Sequence, residues 1–103
     1  MDVRRSIPAE VIARDIASAT EFLSHLPGVK RVWLLGSASK GRNLDWRSDL
    51  DFAIEGLPRE QLERTWSQLY QRLDNELDLI RWETASDALK EEIRRWGQVL
   101  YAA

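Results

Sequence analysis

Apolar residues recur along this chain with two different periods, and the switches between them mark out its elements. From Pro8 to Leu26 the apolar positions Ile12, Ile16, Ala19, Leu23 and Leu26 follow the spacing of one helix face. Pro8 suits a first helical turn, and Pro27-Gly28 ends the helix. Val29 to Leu35 then alternates, with Val32 and Leu34 on one side and Arg31 and Trp33 on the other, as in a strand. Ser37 to Gly41 fits one helical turn, and Arg42 to Ser48 reads as a polar loop. Asp49 to Ile54 is a second alternating strand, closed by Glu55-Gly56. Pro58 opens a second long helix with Leu62, Trp66, Leu69 and Leu73 as its stripe, and Glu76 to Trp82 forms a third strand. Thr84-Ala85-Ser86-Asp87 fits a capping box, and the helix it starts turns Leu89, Ile93, Trp96 and Leu100 inward.

The predicted order is helix, strand, strand, helix, strand, helix. This is an α/β (α+β) chain: a small mixed sheet with helices packed on one face, residues 1–103 forming a single domain. Leu50, Phe52 and Ile54, with Leu77, Leu79, Val32 and Leu34, would meet the helices. The opposite face would carry Asp49, Asp51 and Asp78 beside Trp33, Ile80 and Trp82. A slip of one residue in any strand would invert this assignment.

Composition narrows the function. A net charge of −2 offers no basic surface, so direct nucleic-acid binding is not expected. With no cysteine and only His25, a thiolate centre and a histidine cluster are excluded. No apolar run approaches the roughly 20 residues of a membrane span. The start, Met-Asp-Val-Arg-Arg, leads into an amphipathic pattern and not a signal-peptide core, so a cytoplasmic protein away from membranes is expected. Five tryptophans are more than one small core hides. Trp66 and Trp96 fall on apolar stripes. Trp33 and Trp82 would stack together or meet a base or partner, and Trp46, in the polar loop, points to a contact. His25 falls near a helix end, where a cation is favoured.

The candidate chemistry lies in Gly36-Ser37 and Ser48-Asp49-Leu50-Asp51. Asp49 and Asp51, two apart in a strand, project from one face. Such carboxylates repel unless a cation or proton sits between them, and Mg²⁺ meets that need with substrate phosphates as its other ligands. The Gly36-Ser37 turn directly after an apolar strand offers backbone N–H groups and a hydroxyl to phosphate. Lys40, with Arg42 and Arg47, supplies the nearest cations, and Ser48 completes the candidate phosphate contacts Gly36, Ser37 and Lys40. Asp78 would ligate a second metal or take a proton from an attacking hydroxyl. An isolated Asp-x-Asp is also what a solvated strand edge carries. The upstream turn and the third carboxylate set this one apart.

These segments, Gly36-Ser37-Ala38-Ser39-Lys40-Gly41 and Ser48-Asp49-Leu50-Asp51-Phe52-Ala53-Ile54, resemble the signature of the DNA polymerase β-like nucleotidyltransferase superfamily. The short length points to its minimal members, the MNT or MntA-like antitoxins. Leu77-Asp78-Leu79-Ile80 resembles the strand bearing the family's third carboxylate, and Ile93 through Val99-Leu100-Tyr101 resembles its last helix. The resemblance implies a Mg²⁺-dependent enzyme with ATP as substrate. It would transfer AMP to a tyrosine of a HEPN-domain ribonuclease toxin and assemble with that toxin. Carried over, Asp49, Asp51 and Asp78 are catalytic and metal-binding, and Gly36 and Ser37 bind phosphate. Lys40 stands where the family often has arginine, which alone gives a bidentate phosphate contact. The loop from Arg42 to Arg47 is about one residue longer than the commonest spacing. Two alternatives share these residues: an antitoxin that acts by binding alone, and a nucleotidyltransferase subunit for a small-molecule acceptor.

Overall fold

The computed structural model describes residues 9–35 and 50–103. Helix α1 (Ala9–Ser24) precedes strands β1 (Arg31–Leu35) and β2 (Leu50–Glu55). A 3₁₀ turn (Arg59–Gln61) runs into α2 (Leu62–Tyr70), which leads to β3 (Leu77–Arg81). A second 3₁₀ turn (Trp82–Thr84), α3 (Asp87–Trp96) and β4 (Gln98–Ala102) follow. The four strands form one sheet in the order β3-β2-β1-β4. β1 pairs antiparallel with both β2 and β4, and β2 pairs parallel with β3.

The predicted alternation sets the first face. Val32 and Leu34, Leu50, Phe52 and Ile54, and Leu77 and Leu79 join Ala19 and Leu23 of α1 and Leu69 of α2 in one buried cluster. Trp66 packs against it half-buried. Asp15 of α1 is buried here too, and its Oδ2 accepts from the backbone N–H groups of Asp74 and Asn75 and from Asn75 Nδ2. That one carboxylate fixes the α2–β3 turn to the first helix, and Arg14 adds an exposed ion pair to Asp74. Where β1 begins and β2 ends, two turns meet back to back. Gly28 and Gly56 have φ of +87° and +97°, and a Cβ on Gly56 would lie 2.0 Å from the Gly28 carbonyl oxygen. Only glycine fits there.

The structure changes the end of the predicted chain. The last helix stops at Trp96, and the residues expected to continue it through Leu100 form β4 instead. Gly97 takes extended backbone (φ −70°, ψ 140°), and Val99 and Tyr101 then pair with β1. Trp96, placed in the core from its spacing, is 55% exposed. The helix also starts later than expected. Ser86 is its N-cap, accepting from the Leu89 backbone N–H at 3.1 Å, and Thr84 closes the preceding turn.

The extra strand explains where α3 lies. The mixed α/β sheet and the placing of α1 and α2 on one face agree with the sequence reading; α3 packs on the other face, against Trp33 and Ala53. From β2 the chain crosses to its parallel neighbour β3 at one edge. It then returns across the whole sheet to β4, which the pairings make parallel to β3. Parallel crossovers keep one hand, so two that travel in opposite directions must use opposite faces.

Candidate functional site

Asp51 and Asp78 are direct register partners on the parallel strands β2 and β3. Partners in this position share a face, with strands about 4.8 Å apart, so the two carboxylates stand side by side. Both are half-buried. On the other side of Asp51, its partner is Leu35, the final residue of β1. The chain therefore leaves β1 beside the carboxylates and enters the segment beginning Gly36-Ser37. Gly36, Ser37, Lys40, Ser48 and Asp49 lie outside the described residues, as does Trp46. Of the predicted site residues, the structure brings together Asp51 and Asp78. No group of three acidic or histidine side chains that would hold a metal occurs among the described residues.

The face is less open than alternation alone implies, because α3 crosses it. Trp33 and Trp82 stack with ring centroids 4.9 Å apart and planes 24° apart, as one of the sequence readings has it. Lys90 and Arg94 of α3 lie over Trp82, at 5.4 and 5.2 Å from its ring centroid. Such cation–ring contacts are worth about 0.5–1 kcal/mol at exposed sites. Ile93 is buried against Trp33 and the fully buried Ala53, the residue next in Asp51's row. A larger side chain at 53 would hold the helix away. At the other end of α3 the close approach depends on Gly97. A Cβ there would lie 2.6 Å from the Ile93 carbonyl oxygen and 3.2 Å from both Leu35 and Trp33.

Between helix and sheet this leaves a cavity of about 210 Å³. The sheet lines it with Leu35, Asp51, Asp78 and Ile80, and α3 with Leu89, Glu92, Ile93 and Trp96, Gly97 closing the set. Sequence reasoning placed Ile80 near the carboxylates but missed the residues of α3. The available signal was Gly97 followed by β-favouring Val99 and Tyr101. Read as a strand, that segment sends α3 back over the carboxylates.

The family profile described as "Polymerase beta, Nucleotidyltransferase" matches residues 18–103. The chain belongs to that family. No curated protein matches it. Solved structures share the nucleotidyltransferase fold. One is a toxin–antitoxin MntA complex carrying a double substitution, with TM-score 0.74, 22% identity, and coverage of 85% of this chain and 73% of that one. A toxin–antitoxin structure with AMP-PNP gives TM-score 0.70 and 24% identity over 87% of this chain and 73% of that one. The tri-AMPylated HEPN toxin of Shewanella oneidensis in complex with its MNT antitoxin gives 0.69 and 21% over 88% and 72%. Among the described residues of this nucleotidyltransferase, no helix is long and apolar enough to cross a membrane.

Proposed function

We propose that this nucleotidyltransferase moves AMP from Mg²⁺-ATP to a tyrosine hydroxyl of a HEPN-type toxin, silencing it as a cytoplasmic antitoxin assembled with that toxin. The observation that carries the reading is the register pairing of Asp51 with Asp78 beside the end of β1, in a chain of this family. The likeness to a structure of an AMPylated HEPN toxin with its antitoxin supports the acceptor, and the AMP-PNP structure supports the nucleotide.

The donor set fits the metal. Asp51 and Asp78 present carboxylate oxygens side by side, the ligands a hard divalent cation prefers, and Asp49 would complete the set. When bound, Mg²⁺ neutralises charge on the triphosphate. The remaining work falls to the chain. Gly36 and Ser37, with Lys40 and Ser48, would hold the phosphates. Asp78 completes the metal ligands or takes the proton of the attacking hydroxyl. Leu89 and Ile93 keep water from one side of the carboxylates.

The test uses Mg²⁺ and α-³²P-labelled ATP in a lysate of the host, beside an Asp49→Ala/Asp51→Ala variant. A labelled protein band with the wild type alone is expected. Label in low-mass products would move the acceptor to a small molecule. No variant-sensitive label anywhere would leave an antitoxin that acts by binding alone.

A further inference from the structure

We propose that Trp82 is a positioning residue: it sets the roll of α3 about the helix axis, and through that roll the width of the cavity beside Asp51 and Asp78. Its part in the reaction rests on the nucleotidyl transfer proposed above; the geometry does not.

The support starts in the sheet. Trp33, Ala53 and Ile80 are register partners and form one row across β1, β2 and β3. Trp33 is 4% exposed, so its ring is fixed. Trp82 stands just past the end of β3. β1 and β3 flank β2 and lie roughly 10 Å apart. Two indoles with centroids 4.9 Å apart therefore meet above β2, and the small, fully buried Ala53 leaves them the space. Trp82 is thus held between Trp33 of the sheet and Lys90 and Arg94 of the helix.

The helix supplies the other half. Its residues turn by about 100° each. Ile93 is the one buried against Trp33 and Ala53. Counted around the axis from Ile93, Leu89, Trp96 and Glu92 fall on one side, and Lys90 and Arg94 on the other. The first three line the cavity, and the other two rest on Trp82. Ile93 is therefore a pivot. The contact on one flank fixes how far the opposite flank stands from the carboxylates. An aromatic face suits this task because it attracts both cations to a defined height above the ring. An aliphatic side chain of similar bulk offers them no such attraction.

Methyl NMR of the full chain reads the roll directly. Trp82→Leu is expected to change the intensity of the cross-peaks between the methyls of Leu89 and Ile80 about twofold or more, while those between Ile93 and Leu35 persist. Trp82→Phe keeps a ring face and should leave both sets as they are. Lys90→Gln/Arg94→Gln alters no residue of the sheet and should reproduce the Trp82→Leu pattern. Unchanged Leu89–Ile80 cross-peaks in Trp82→Leu overturn the proposal. If Trp82→Leu loses the Ile93 cross-peaks as well, the double glutamine variant decides: the same pattern there supports the roll, and no change overturns it. In the labelling assay, Trp82→Leu is expected to slow AMP transfer about tenfold, and Trp82→Phe to stay within about twofold of wild type. A changed roll with undiminished transfer would overturn the positioning role. Absence of label from every form, wild type included, would defeat the transfer reading and leave the roll to stand or fall on the cross-peaks.

Discussion

The two faces of this sheet are built from the same strands and are very different materials. Under α1 and α2 the rows Leu50-Phe52-Ile54 and Leu77-Leu79 fill the larger apolar core. Under α3 the alternate residues are Asp51, Ala53, Asp78 and Ile80, the buried cluster is small, and a cavity remains. Packing stability is concentrated on one side, so the other can hold like charges side by side and leave space unfilled. The proposed chemistry falls where the fold depends least on close packing.

Adjacent residues of β2 break this comparison most sharply. Phe52→Ala removes a fully buried ring from the core face and is expected to cost about 3–5 kcal/mol, read from urea unfolding. Asp51→Asn, one residue earlier and on the other face, is expected to lower AMP transfer at least about 10²-fold. The same substitution should change unfolding free energy by under about 1 kcal/mol. Equal effects of the two on stability would show that the faces are not divided as described.

Asp15→Ala probes a polar group that belongs to the core face. It strands the three N–H groups that its carboxylate receives, and a loss of about 2–3 kcal/mol is expected in the same unfolding assay. The smallest effect is expected from Ser86→Ala, which removes the N-cap of α3 and about 1 kcal/mol, measurable as a fall in melting temperature. Because α3 lines the cavity beside Asp51 and Asp78, slower AMP transfer should accompany that fall.

Most of this arrangement is legible in the sequence because side chains alternate between faces along any extended strand. It places Phe52 and Asp51 on opposite faces, and puts Asp51 and Asp78 on the same one, without knowledge of what packs against either. What alternation cannot supply is a decision made elsewhere in the chain. Val99, Leu100 and Tyr101 continue the helical spacing of Leu89, Ile93 and Trp96 well enough to be read as one helix. The open edge of β1 recruits them as a strand, and that partner is distant in sequence. With β4 missing from the reading, nothing obliges α3 to change faces, and the cavity residues Leu89, Glu92 and Trp96 carry no local mark of their position. For Asp51 and Asp78 the face and the register are established. The five phosphate and metal candidates between residues 36 and 49 remain the sequence's own contribution.

The return crossing of α3 also sets a timetable. Domains emerge from the ribosome N-terminal part first, at about 5–20 residues per second. A nascent chain that has emerged only through β3 already owns both carboxylates and every buried residue of its large apolar core, lacking only Leu100 and Tyr101 at its margin. It lacks the helix that roofs them and the strand that draws that helix across. The face that carries Asp51 and Asp78 is therefore finished only when β4 zips onto β1, so a truncated or stalled product would carry the two carboxylates with no cavity beside them.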